Sequence, residues 1–127
     1  MHNPSRPDRE EPVFKARAWV RICGPTARRI ATGYLVALIE SVCIREMLHH
    51  LDPTTEVIVG RAVNIQHSAP AAPRKQVWLR GWTMRMGERS TTFTVQVFDD
   101  HEAICDGSVT LVAASRTALQ DRLARKS

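Results

Sequence analysis

The feature that most constrains this chain is the segment from residue 31 to Pro53, ATGYLVALIESVCIREMLHHLDP, which is apolar at 34–39, 42–44, 47, 48 and 51. It is too long for a strand and too evenly apolar for a surface helix, and a helix that is hydrophobic nearly all round has to be buried. Thr32 stands where a hydroxyl can cap the first turn. Asp52-Pro53 closes the helix, because proline pushes the preceding residue out of helical space. Everything else in the chain must supply the surface that wraps this one helix.

That surface reads as strands. Phe14, Ala16, Ala18, Val20 and Ile22 alternate with Lys15, Arg17, Trp19 and Arg21, a half-buried strand ended by Gly24-Pro25. After Pro53, Val57, Val59, Arg61, Val63 and Ile65 alternate with Ile58, Gly60, Ala62 and Asn64. A proline-rich break at 68–73 follows, then runs over 76–86, 90–98 and 103–112 joined by Gly87-Glu88 and Asp99-Asp100-His101. Tight turns between such runs predict antiparallel hairpins. The tail from Ser115 alternates small and charged residues and suits a short surface helix. The expected class is α+β, a curved antiparallel sheet of about five strands wrapped around one long central helix. Residues 1–12, charged and proline-rich, read as a flexible leader and 13–127 as a single domain. One sheet face and the edges are left over, so a homodimer that extends the sheet, or a higher homo-oligomer, is expected.

Composition narrows the partners. In 127 residues there are 18 Lys+Arg against 13 Asp+Glu, a net charge of +5. The basic residues form no continuous run and aromatics are 6% of the chain, few for base stacking, so nucleic acid is not expected. No run is long and apolar enough to span a bilayer, and no secretory signal is visible, so the expected setting is cytoplasmic with no membrane partner. Three scattered cysteines (Cys23, Cys43, Cys105) favour neither a disulfide framework nor a metal site.

Four positions could carry chemistry. Glu40 sits within the apolar helix, where burial would raise a carboxyl pKa; it is a site carboxylate or an acid on the helix's one wet stripe, near Arg45 and Glu46. His67 ends the second strand before the proline-rich break, and is either a proton carrier facing a cleft or a surface residue at a loop entrance. Thr32 and Gly33 open the helix, either as a simple cap or as a place where backbone N–H groups hold an oxyanion. Thr32 and Glu40 lie about 12 Å apart on a straight helix, so only a third residue such as His67 could link them.

With those residues in view, the helix run followed by VGRAVNIQHSAPA resembles the fluoroacetyl-CoA thioesterase group of the hot-dog thioesterase superfamily, most closely over residues 29–73. The group's Thr-Gly at the helix start, Glu eight residues after that Thr, and Gly seven residues before His are matched by Thr32, Gly33, Glu40, Gly60 and His67. The resemblance implies a hot-dog fold, a dimer with sites at the subunit interface, and hydrolysis of an acyl-CoA thioester. It also implies catalysis by Thr32, Glu40 and His67, with the Gly60 backbone lining the acyl pocket. No cofactor or metal is implied beyond the coenzyme A of the substrate. Arg74, Lys75, Arg80 and Arg85 are candidates to meet its phosphates. Two departures point away from fluoroacetyl-CoA itself: Leu111 stands where the group carries an arginine, and residues 24–30 replace a longer aromatic lid. The expected activity is therefore hydrolysis of a short or small acyl-CoA. The rival readings are a hot-dog module that binds acyl-CoA without turnover, and a hot-dog dehydratase or hydratase.

Overall fold

The structure, a computed structural model, describes residues 11–19, 32–71 and 75–126. Its elements are β1 (Phe14–Trp19), α1 (Thr32–Leu48), β2 (Glu56–His67), β3 (Gln76–Met86), β4 (Ser90–Phe98), β5 (Ala103–Ser115) and α2 (Arg116–Ala124). The strands form one sheet in the order β1-β3-β4-β5-β2, with antiparallel pairing throughout. α1 lies on the β2, β5 and β4 part of one face. The expected continuation of β1 to residue 22, the connection at 24–30, the leader up to residue 10, Arg74 and Cys23 lie outside the described residues.

Local chemistry explains the boundaries. Gly87 N–H donates to Ser90 O at 2.7 Å to close the β3–β4 turn. At the β4–β5 turn Asp99 accepts from the backbone N–H groups of His101 and Glu102 at 2.8 and 2.9 Å. α1 ends earlier than Pro53 requires. After Leu48 the chain tightens into three-residue turns, with His50 N–H reaching Met47 O at 3.0 Å. Asp52 then accepts from both the backbone N–H and the hydroxyl of Thr54, at 3.0 and 2.6 Å, to start the turn into β2. Ser115 caps α2 through Ala118 N–H at 3.2 Å.

The core lies between α1 and the sheet. Leu35, Ile39, Val42, Cys43 and Met47 face Val77, Leu79, Phe93, Val95, Val97, Ile104, Val109 and Leu111. Phe14 lies over Gly81, where a side chain would overlap its ring, and meets Phe93 edge to face at 5.9 Å. The helix is less buried than its composition predicts. Gly33, Ala37, Ser41, Arg45 and Leu48 are exposed, leaving a bare flank beside a single buried stripe. Among the described residues no helix is long and apolar enough to cross a membrane.

Burial, joined by the charges of Glu40 and Glu46, pushes the Cys43 thiol up to about 12. Relative to an ordinary thiol this leaves about a thousandfold less thiolate near pH 8. Iodoacetamide is therefore expected to leave Cys43 untouched in the folded protein and to label it in urea, as peptide mass mapping would show. Ready labelling of Cys43 without denaturant would contradict its placement.

Candidate active site

The Glu40 side chain comes from the middle of α1 and ends against β2. A Cβ built on Gly60 would lie 2.6 Å from Glu40 Oε2 and 3.3 Å from its carboxyl carbon. Gly60 thus has the one side chain small enough to let the carboxylate rest on the strand backbone. Gly60 pairs with Leu111 of β5, which is fully buried, so the floor beside this carboxylate is apolar.

β2 does not alternate without interruption. Its register with β5 shifts between Gly60 and Ala62, leaving Arg61 as the extra residue of a bulge. Since side chains alternate with a period of two, Gly60 and His67, seven residues apart, would otherwise point to opposite faces. The bulge restores the match. Gly60, Val63, Ile65 and His67 pair with Leu111, Val109, Gly107 and Cys105, alternate residues of β5 that share one face. That face carries α1. The sequence expectation of unbroken alternation from Val57 to Ile65 is corrected here, and the correction is what turns His67 inward.

His67 is half-buried, and its Nε2 is closed off from solvent. The chain beyond it is pinned to β5: Ser68 and Ala69 N–H both donate to Ile104 O, at 2.9 and 3.1 Å. Gly60 and His67 are separated by six residues of β5 (111 to 105). At strand rise that is about 20 Å, beyond the reach of one carboxylate and one imidazole. A single chain therefore brings Glu40 to Gly60 but does not bring Glu40 to its own His67.

Thr32 is the first residue of α1, and its side chain lies outside the described structure. Gly33 is exposed, and among the described residues a Cβ there would meet nothing within 4 Å. Of the suggested phosphate ligands, Lys75 and Arg85 are exposed, whereas Arg80 lies on the outer face, over the Phe98 ring at 4.5 Å. Among the described residues no group of His, Cys, Asp and Glu is arranged to hold a metal ion.

Comparison with solved structures gives the fluoroacetyl-CoA thioesterase FlK at 21% identity and a TM-score of 0.80, covering 90% of this chain and 93% of that one. A mutant of the same enzyme in complex with fluoroacetate and CoA matches at 21% identity and 0.81, covering 90% and 98%. A thioesterase superfamily member from Thermus thermophilus matches at 19% identity and 0.79, covering 91% of each chain. These likenesses show the hot-dog fold. A search of curated proteins gives no match. The family model described as fluoroacetyl-CoA-specific thioesterase matches residues 13–117, which span all five strands and α1. The chain belongs to the fluoroacetyl-CoA-specific thioesterase family and is a thioester hydrolase of the acyl-CoA class.

Proposed function

We propose that the protein hydrolyses a short or small acyl-CoA at two equivalent sites, each shared between two copies of the chain. In each site Thr32, Gly33, Glu40 and Gly60 come from one copy and His67 from the other. The observation that carries this reading is the placement of Glu40 on Gly60, with His67 on the same face about 20 Å further along an edge strand. β2 is the last strand of the sheet and its residues 60–64 are exposed, including Val63 at 39%. A long edge strand with apolar exposure is a template for pairing. Antiparallel pairing of two such strands about a two-fold axis near residues 63 and 64 sets the second copy's His67 beside the first copy's Gly60. The bare flank of α1 supports the same reading, since a second copy would cover it.

In this arrangement His67 takes a proton from water or from the Thr32 hydroxyl, and Glu40 orients and supports the imidazolium that forms. The nucleophile adds to the thioester carbonyl. The N–H groups opening α1 hold the oxyanion, and Gly33 leaves room for it. Collapse of the adduct expels the CoA thiolate, which takes up the proton held by the His67 imidazolium. Where Thr32 is the nucleophile, a water deprotonated by His67 then hydrolyses the acyl ester and returns the Thr32 hydroxyl. Leu111 places an apolar floor beside Gly60, which suits an uncharged acyl group of small size.

The direct test is thiol release across acyl-CoAs of increasing chain length, with fluoroacetyl-CoA alongside. Turnover greatest on short chains is expected. Tight CoA binding with no thiol release would instead support a non-hydrolytic module.

Two variants probe the geometry. In Gly60→Ala the new methyl displaces a flexible carboxylate and leaves the backbone in place, so the melting temperature should hardly move. A misplacement of about 1 Å in a catalytic group can cost up to ~10²-fold in rate, and a loss of that order in kcat is expected. An unchanged kcat would remove Glu40 from the mechanism. Val63→Glu puts a charge on the exposed edge without touching the core. Sedimentation should then show single chains, with turnover lost in parallel. A fully active single chain would contradict the shared site.

A further inference from the structure

The outer face of the β1-β3-β4 part of the sheet, turned away from α1, carries a second concentration of chemistry. Cross-strand pairing there builds two rows. Arg17, Trp78 and Phe98 form one, and Lys15, Arg80 and Gln96 the other. Trp78 and Phe98 stack with ring planes 21° apart and centroids 6.3 Å apart. Arg80 sits over Phe98 at 4.5 Å, and its Nε donates to Gln96 Oε1 at 3.1 Å, which fixes the guanidinium. A concavity of about 440 Å³ lies here, bordered by Lys15, Arg17, Trp78, Arg80 and Phe98 and, among the described residues, by no acidic side chain.

This arrangement is unfavourable as it stands. Lys15 and Arg80 are directly opposite on neighbouring strands, and like charges at such positions repel. Arg17, two residues from Lys15 on the same face, adds a third cation. Among the described residues, the acids nearby leave most of this uncompensated. Glu11 pairs with Lys15 at 3.7 Å, but the two side chains are 90% and 72% exposed. Asp106 lies one strand further out, opposite Gln96. The Asp99 carboxyl at the strand end is occupied by the N–H groups of its own turn. An anion would relieve the repulsion, and the half-exposed indole beside it offers a flat face to an aromatic ring.

We propose that this outer face binds a nucleoside phosphate, with the base stacked on Trp78 and the phosphates held by Lys15, Arg17 and Arg80. The volume suits a single nucleotide. The site is independent of the hydrolytic one, because it lies on the opposite side of the sheet from Gly60 and His67. Three cations at its centre also argue against a second copy of this chain as the occupant.

Isothermal titration of the full chain with ADP, with inorganic pyrophosphate, and with a short single-stranded oligonucleotide tests the proposal. ADP is expected to bind in the micromolar range. Trp78→Leu should raise its Kd at least tenfold, as should the paired Lys15→Gln/Arg17→Gln exchange, whose side chains are solvent-exposed and not needed for folding. Pyrophosphate alone should bind at least tenfold more weakly than ADP. Oligonucleotide that competes with ADP would assign a strand as the source of the nucleotide; ADP binding without oligonucleotide binding would assign a free nucleotide. Hydrolysis of an acyl-N-acetylcysteamine, a thioester without a nucleotide, should be unchanged in both variants and shows that they are folded. Absence of ADP binding at millimolar concentration, or equal binding by folded Trp78→Leu, overturns the proposal.

Discussion

Replacement of His67 by alanine is expected to lower kcat/KM for the best acyl-CoA by about 10²–10⁴-fold, the range spanned by loss of a positioned general base. A thioester has a good leaving group, so the residual rate should stay measurable. The fall should appear mainly in kcat, because the imidazole meets the attacking oxygen and not the bulk of the CoA. Glu40→Gln should lose less, since the neutral amide can still orient the ring while no longer supporting its charge. Folding is a small concern: His67 is half-buried at the end of β2, and Ser68 and Ala69 still anchor that end on Ile104. Undiminished turnover in a folded His67→Ala protein would leave the mechanism without its base.

The largest expected effect on stability comes from Gly107→Ala. Gly107 pairs with Ile65, and a Cβ there would overlap the Asn64 carbonyl oxygen and lie 2.8 Å from Ile65 Cα. These are backbone atoms of β2 and cannot swing aside as the Glu40 carboxylate can. Overpacking typically costs about 1–3 kcal/mol, and a clash with a strand backbone belongs at or above the top of that range. Urea unfolding should show a loss of about 3 kcal/mol or more, with activity falling too, because β2 carries both Gly60 and His67. Gly33→Ala is the control, since among the described residues its methyl meets nothing within 4 Å. If both variants unfolded at the same urea concentration, the β2–β5 packing described above would be wrong.

Much of the fold was legible because turn chemistry and periodicity agreed. The ends of β3 and β4, and the starts of α1 and β5, coincide with the sequence expectation, since Gly87-Glu88 and Asp99-Asp100-His101 leave little choice of register. The bulge at Arg61 was not legible. β2 holds apolar residues at both parities (Val57, Ile58, Val59, Val63, Ile65), so a one-residue change of face leaves no trace in the pattern. The exposed flank of α1 was misjudged for a related reason. Hydrophobicity shows that surface must be covered, but not whether the same chain covers it. Of the candidate site, Glu40 was legible as an acid inside the apolar helix run and Gly60 only from the spacing of the family motif, and the structure sets the two side by side. The outer-face group was invisible to a search for basic runs, because β1, β3 and β4 contribute its members from distant parts of the sequence and only strand register assembles them.

The central claim is that carboxylate and imidazole of one site belong to different copies, and subunit mixing tests it most directly. Glu40→Ala, which removes both the orienting and the charge-supporting role of the carboxylate, and His67→Ala proteins, each expected to be nearly inactive alone, are combined in equal amounts, unfolded and refolded together. With random pairing about half of the dimers are mixed, and each mixed dimer holds one intact site of two, so activity should recover to about a quarter of wild type. If Glu40 and His67 act within one chain, every site in every dimer lacks one of them. Activity that stays at the level of the separate variants would contradict the account.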